Sequence, residues 1–133
     1  MTEPQLSPRE AAALNPLVLA FLGDGVYSLL ARELLVAGQD AKVGALHSQS
    51  AAMVNAASQA AGYDKIKDIL TEDEAAVFRR ARNAHASHTP KNMSERDYHA
   101  ATGLEAVFGY LHLCGQEARL RSLFAVIQSV SQP

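Results

Sequence analysis

Asp24 is an acidic residue in the middle of an apolar stretch that is predicted to be helical. Its neighbours at the helical spacings of three and four residues are uncharged: Ala20, Phe21, Tyr27 and Ser28. An ionised carboxylate among apolar side chains is costly unless it is paired or bound to a metal. Gly23 and Gly25 flank it, and two missing side chains allow a backbone or a ligand to approach closely. An arginine partner from elsewhere in the chain, or a break in the helix, would account for Asp24 equally well.

Glu105 has the same character, because it lies within another apolar segment that is predicted to be helical. A buried ion pair would again explain this residue if it stood alone. Two such acids on helices that face each other would form a small oxygen-ligand site for a hard cation such as Mg²⁺. The spacing between Asp24 and Glu105 leaves open whether their helices face each other.

A local basic stretch covers residues 79–92, although the chain as a whole is slightly acidic, with a net charge of −2. The stretch contains no Asp or Glu, and its Arg, Lys and Asn side chains suit contacts to phosphate and ribose. The candidate RNA-binding residues are Arg79, Arg80, Arg82, Asn83, Lys91 and Asn92. A solvated helix end, where the helix dipole favours cations, is the alternative explanation of the same stretch.

The bulk composition indicates a small globular protein of a reducing compartment. The 133 residues are enough for one domain, and the single cysteine, Cys114, cannot form an internal disulfide. The start of the chain lacks the basic and apolar segments of a secretory signal, and the apolar stretch at residues 43–63 is too polar to cross a membrane. We therefore expect a cytoplasmic protein with no membrane association.

Helical periodicity and capping residues predict an all-α fold, because no strand alternation is present. We expect a loose leader over residues 1–13 and one domain over residues 14–133. The predicted helices cover residues 16–37, 42–62, 63–70, 95–114 and 117–130. A further helix is predicted to begin at the Thr71 capping box, and a loop is predicted at residues 86–94. The first of these helices is apolar on nearly every side from residue 17 to residue 22. Such a helix is buried all round or is shared between a core and a partner subunit.

Several of these segments together resemble a known enzyme family. Residues 19–27 (LAFLGDGVY) resemble the signature helix of ribonuclease III domains, and residues 102–111 (TGLEAVFGYL) resemble the second acidic helix of that family. Residues 79–84 and 90–92 are similar to the subgroup called Mini-ribonuclease III. The resemblance extends over residues 14–130, with the motifs in the order of the family.

The resemblance implies an all-α ribonuclease III endonuclease-like helical bundle that forms a two-fold homodimer. It implies Mg²⁺-dependent hydrolysis of phosphodiester bonds in double-stranded RNA, with Mn²⁺ as a substitute cation. By motif match, Asp24 and Glu105 are the catalytic carboxylates and the metal ligands. The subgroup trims precursor 23S ribosomal RNA, so a similar substrate is implied, with ribosomal proteins as candidate further partners.

The chain departs from full-length ribonuclease III at two positions of these motifs. The further acids of the larger enzymes would fall at Ala20 and Thr102, and neither residue is acidic. The cation would then have fewer protein ligands and more water. The chain also ends before the double-stranded RNA-binding domain that usually follows, so the affinity for RNA is expected to come from the catalytic domain.

Two other functions remain compatible with parts of the sequence. A non-catalytic RNA-binding or ribosome-associated module on the same fold would use the basic stretch without needing the acids. A helical adaptor between proteins would need neither feature. Because Asp24 and Glu105 are both present within apolar helices, the sequence favours the enzyme.

Overall fold

The computed structural model of the chain describes residues 5–84 and 93–129. Within these two ranges every regular element is a helix, which confirms the predicted all-α class. The helices in chain order are α1 (Pro8–Ala12), α2 (Pro16–Gly38), α3 (Val43–Met53), α4 (Ala56–Ile66), α5 (Glu72–Asn83), α6 (Glu95–Leu113) and α7 (Glu117–Gln128).

Side-chain caps explain why three of these helices begin where the sequence predicts. The Asn15 side chain accepts a hydrogen bond of 2.8 Å from the backbone N–H of Leu17 at the start of α2. Thr71 and Glu74 form a reciprocal capping box at the start of α5. Ser94 accepts a hydrogen bond of 3.0 Å from the backbone of Asp97 and opens α6. Each cap satisfies a backbone donor that the first turn would otherwise leave unpaired.

The prediction of a single helix over residues 42–62 is wrong, because α3 ends at Met53 and α4 begins at Ala56. Asn55 caps a new helix by accepting a hydrogen bond of 2.9 Å from the backbone N–H of Ser58. Helix α4 then continues to Ile66, so the separate third helix expected over residues 63–70 is also wrong. The local competition of an Asn side chain with the helical backbone produces the break.

The loose leader predicted for residues 1–13 is wrong over residues 5–13, and residues 1–4 lie outside the described ranges. Ser7 and Glu10 form a capping box that opens the short helix α1, and Ala11 is fully buried. The backbone N–H of Leu6 donates a hydrogen bond of 2.8 Å to the carbonyl of Leu113. These contacts tie the segment to the end of α6.

Helix α6 forms the centre of the fold and packs against α1, α2, α4, α5 and α7. Its residues from Ala106 to Leu111 are all buried, so this helix, rather than α2, is buried on every side. The core around it contains the largest fully buried side chains, which include Tyr27, Phe78 and Phe108. Because α6 contacts nearly every other helix, its side chains pack against residues from several of them.

Helix α5 is tied to α7 by a partly buried ion pair. Arg119 donates hydrogen bonds of 3.0 and 2.8 Å to the two carboxylate oxygens of Glu74, and a third of 2.6 Å to the carbonyl of Ile69. Burial would raise the pKa of Glu74, but the hydrogen bonds from Arg119 and Thr71 hold it below its ordinary value. The only other buried polar side chain of the described residues is that of Gln59.

Helix α2 is buried on one side and exposes large apolar side chains on the other. Leu19, Tyr27 and Ala31 face the core, whereas Phe21 is 83% exposed. Other exposed apolar residues lie on the same face at helical spacing: Val18, Leu29 and Val36. A single chain therefore buries only part of the apolar surface of this helix. No described helix, α2 included, combines the length and the apolarity needed to cross a membrane.

Candidate active site

Two glycines bring α2 and α6 into backbone contact at the point where they cross. A β-carbon on Gly23 would overlap the backbone carbonyl of Glu105 and would lie 2.9 Å from the backbone nitrogen of Gly109. A β-carbon on Gly109 would overlap the carbonyl of Leu19. The close approach expected at Gly23 is thus an approach of protein backbone, since only glycine leaves room for it. Gly25 differs, because a β-carbon there would meet nothing within 4 Å.

This crossing brings Asp24 and Glu105 together. The two carboxyl groups are close enough for Asp24 to act on Glu105, by repulsion when both are ionised and by a hydrogen bond when one carries a proton. Asp24 is exposed to solvent in spite of its apolar neighbours, whereas Glu105 is half-buried. The alternative of a partner arginine has no support, since no described ion pair involves either acid. The two carboxyl groups therefore share one small site at the surface.

The electrostatics of this site favour a neutral Glu105 in the absence of a cation. Burial, and then the charge of Asp24 and the hydrogen bond with it, raise the pKa of Glu105 to about 8, and a hydrogen bond from Gln59 acts in the opposite direction. Near neutral pH the Glu105 carboxyl group would therefore carry a proton in the metal-free protein. A divalent cation would relieve the repulsion and allow both groups to ionise.

Sequence reasoning missed Gln59, whose amide Nε2 donates a hydrogen bond of 3.3 Å to Oε2 of Glu105. The side chain lies on α4 and is only 3% exposed. Its signal in the sequence is a polar residue within the alanine-rich segment AASQAAGY, a pattern that also fits a solvated position. Only the packing of α4 against α6 reveals the contact.

The donor set of the site consists of two carboxyl groups and one amide. Ala20 is buried without a polar side chain, and the Thr102 hydroxyl donates to the carbonyl of Tyr98 at 3.0 Å. Neither position adds an acid to the site, which agrees with their departure from the larger enzymes. Within the described ranges no group of three or more His, Cys, Asp or Glu side chains is arranged to hold a metal ion. Two hard oxygen groups fit Mg²⁺, which is commonly bound through one or two carboxylates and keeps several waters.

The side chains in the described part of the basic stretch differ in the contacts they make with the rest of the protein. Arg79, Arg82 and Asn83 are exposed at the end of α5. Arg82 lies over the Phe78 ring, 5.7 Å from its centroid, and its Nε donates to the Asn83 side chain at 3.2 Å. Arg80 instead donates to backbone carbonyls of the α1–α2 connection, so part of its role is structural. The candidates Lys91 and Asn92 lie outside the described residues.

An open groove of about 680 Å³ lies between α4, α5 and α6, and Arg82 and Asn83 of the basic stretch form part of its wall. Lys67 and Arg96 add two cations to the groove walls beside Arg82 and Asn83. The walls also contain Asp64 and Asp97, so the groove is mixed rather than uniformly basic. Sequence reasoning missed Lys67 and Arg96, because each is separated from residues 79–92 along the chain.

Residues 17–116 match the protein family described as the ribonuclease III domain. Among curated proteins, the chain is similar to Mini-ribonuclease 3 of Thermoanaerobacter sp. (strain X514), with 42% identity over 118 residues, 89% of this chain and 83% of the relative. It is also similar to Mini-ribonuclease 3 of Symbiobacterium thermophilum, with 43% identity over 107 residues, 80% of this chain and 82% of the relative.

Among solved structures, the chain resembles a crystal structure of a protein from Fusobacterium nucleatum with a TM-score of 0.79. The two sequences are 29% identical, and the match covers 85% of this chain and 87% of the other. The matched family region contains both Asp24 and Glu105, as well as the described part of the basic stretch.

Proposed function

Because the chain belongs to the ribonuclease III family, we propose that it is an endoribonuclease that hydrolyses phosphodiester bonds in double-stranded RNA and depends on Mg²⁺. The observation that carries the proposal is that the backbone contact of Gly23 with Glu105 brings Asp24 beside Glu105, close enough for its charge to act on that carboxyl group. Two acids that repel each other and lack a basic partner are poor elements of stability. Their place at the surface, where α2 crosses α6, suits a site that binds a cation and a phosphate.

Asp24 and Glu105 would hold the Mg²⁺ ion, with Mn²⁺ as a substitute. When bound, the cation supplies an acidified water and stabilises the charge that develops on the phosphate. The exposed Asp24 gives the substrate access from solvent, whereas the half-buried Glu105 is held between α2 and α4. Both carboxylates must be ionised to bind the cation, and the charge of the cation favours that state.

The substrate would be held through its sugar–phosphate backbone by the exposed cations of α5. Arg79, Arg82 and Asn83 present donors that suit phosphate and ribose oxygens, and we include Lys91 and Asn92 in the proposed surface on sequence grounds. Arg80 stays a candidate, although its guanidinium also contacts Ala12 and Leu14. Such contacts recognise the shape of an A-form duplex rather than its sequence.

The functional unit would be a two-fold homodimer built on the exposed apolar face of α2. Pairing this face with its copy would bury Val18, Phe21, Leu29 and Val36, which one chain leaves in water. Each subunit would then cut one strand of the duplex. The two cuts would be staggered across the wide minor groove of A-form RNA.

Precursor 23S ribosomal RNA in the cytoplasm is the substrate that we propose for this activity. A net charge of −2 provides little general attraction for RNA, so a ribosomal protein on the precursor is a candidate aid to binding. Mapping the ends of a precursor 23S transcript after incubation, with and without ribosomal proteins, would test this part. Cleavage of generic duplexes but not of the precursor would exclude this substrate.

The proposed activity is tested by incubating the purified protein with long double-stranded RNA in the presence and absence of Mg²⁺. We expect cleavage only with the cation and only for the duplex. Asp24→Asn should lower the cleavage rate by more than roughly 100-fold. The loss of a residue that only contacts a metal ligand typically costs roughly 10–100-fold, and Asp24 is proposed to be a ligand itself. Asp40→Asn is the matched control, because Asp40 is an exposed acid without a partner in the site. Duplex binding without cleavage would favour the non-catalytic RNA-binding module.

A further inference from the structure

Gln59 is a buried polar residue whose only described side-chain partner is the Glu105 carboxyl group. It is 3% exposed, and its Nε2 donates to Oε2 of Glu105 at 3.3 Å. The other buried polar side chain, Glu74, serves a structural ion pair with Arg119. A buried amide costs stability unless its hydrogen bonds are satisfied. An apolar side chain would fill this position on α4 more simply, so the amide calls for a reason.

The first turn of α4 holds Gln59 in place. The Asn55 side chain donates a hydrogen bond of 2.9 Å to the carbonyl of Ala51 and accepts another from the backbone N–H of Ser58. The Ser58 hydroxyl donates a hydrogen bond of 2.8 Å to the carbonyl of Ala52. One turn later, Gly62 lies against Ile127, where a β-carbon would approach the Ile127 side chain to 2.7 Å. These contacts fix both ends of the turn that carries the amide.

We propose that Gln59 is a positioning residue of the cation site, which holds the Glu105 carboxylate in place for metal binding. The inference rests on the proposed function of Asp24 and Glu105 as the metal ligands. An amide donor on one oxygen of Glu105 limits rotation of that carboxylate and partly offsets its repulsion by Asp24. Because the amide is neutral, it orients the ligand without adding charge.

The amide also has an oxygen that remains unused within the described residues. Gln59 Oε1 accepts none of the hydrogen bonds observed there, and no completely buried polar atom is left without a partner, so Oε1 retains some contact with solvent. A carbonyl oxygen in that place can accept a hydrogen bond from a water that the cation binds. Gln59 would thus act on both the protein ligand and the water around the cation, as outer-shell groups do.

The test measures Mn²⁺ binding to the purified full chain without RNA, by electron paramagnetic resonance of the free ion. Gln59→Met keeps the size and the helix preference of the side chain but removes the amide. We expect its Kd for Mn²⁺ to rise by roughly 10–100-fold, with unfolding at an unchanged or higher denaturant concentration. Gln49→Met, at a partly exposed glutamine of α3 whose side chain bonds with Gln39, is the matched control and should leave the Kd unchanged.

A second variant keeps the proposal testable if Gln59→Met fails to fold. Gln59→Asn keeps an amide but shortens the side chain by one methylene, which withdraws the donor from Glu105, so its Kd for Mn²⁺ should also rise. Unchanged Mn²⁺ affinity in both folded variants would overturn the positioning role while leaving the assignment of Asp24 and Glu105 intact. Equal binding by the wild type and Asp24→Asn would overturn that assignment, and the inference about Gln59 with it.

Discussion

Gly23 on α2 and Gly109 on α6 lie against each other, and the missing β-carbons allow the two helix backbones to touch. This contact sets the distance between the elements that carry Asp24 and Glu105. A larger residue at either glycine would separate the helices or tilt them. The site is therefore sensitive to changes at positions that bind nothing themselves.

Gly109→Ala should lower both stability and activity. Its β-carbon would overlap the carbonyl of Leu19, which is backbone and cannot rotate away. We expect the free energy of unfolding to fall by about 3 kcal/mol, the upper end for an overpacked core. Urea denaturation measures this, and Gly44→Ala is the control because its β-carbon would meet nothing within 4 Å. Equal stability of the two variants would mean that the helices can separate at little cost.

Local signals allowed the sequence to predict most of the helix starts. Asn15, Thr71 and Ser94 each act on backbone groups within three residues, so a short stretch of sequence contains both partners of the hydrogen bond. The break at Asn55 was missed because it interrupts an apolar run without a glycine or a proline. An asparagine cap is compatible with both a break and a continuous helix, and tertiary packing decides between them.

The candidate site shows a sharper limit. Asp24 and Glu105 could be singled out as candidates from their neighbours alone, because an acid in an apolar helix is costly. Their contact was not predictable from spacing, since it depends on how α2 crosses α6. Gln59 was missed for the same reason, and the greater exposure of Asp24 follows from its position on the outer side of that crossing.

The raised pKa of Glu105 predicts a pH-dependent stability in the metal-free protein. Its pKa lies at about 8 in the folded chain, above the ordinary value of 4.5. The stabilisation is therefore complete below the ordinary value and is lost as the pH rises through the folded value. Glu105→Gln should remove this loss and make the protein more stable at about pH 8, by roughly 1–2 kcal/mol after allowance for solvent screening.

Denaturation of both proteins in a chelator, from about pH 5 to pH 8.5, measures the difference between the two curves. Subtracting the curves isolates Glu105 from other titrating groups. Mg²⁺ added at the upper pH should stabilise the wild type more than Glu105→Gln, because the variant retains only one of the two proposed carboxylate ligands. Parallel curves would mean that burial and the charge of Asp24 do not raise the pKa of Glu105.

The cations at the end of α5 should determine the salt dependence of RNA binding. In an Asp24→Asn background that prevents cleavage, the double variant Arg79→Ala, Arg82→Ala should flatten the slope of log affinity against log salt by roughly 0.7–0.9 per lost phosphate contact. Filter binding at several salt concentrations gives the slope. An unchanged slope would assign these residues to a solvated helix end.

Two single variants separate this effect from general changes in charge. Arg121→Ala removes an exposed arginine that pairs with Glu33 and Glu117, so it should leave the slope unchanged. Arg80→Ala should lower stability in addition to any effect on RNA, because its guanidinium donates to the carbonyls of Ala12 and Leu14. A stable Arg80→Ala variant would mean that those contacts contribute little.

Phe21→Asp should convert a dimer into a folded monomer. The Phe21 side chain is 83% exposed in the single chain, so a charge there leaves the core of the subunit intact but would be unpaired in a dimer interface. Sedimentation should report half the wild-type mass, and circular dichroism should report unchanged helix content. Val43→Asp is the control, since Val43 is also 69% exposed but begins α3 rather than lying on the apolar face of α2. A wild type that sediments as a monomer at micromolar concentration, and still cuts both strands in one encounter, would refute the two-fold arrangement.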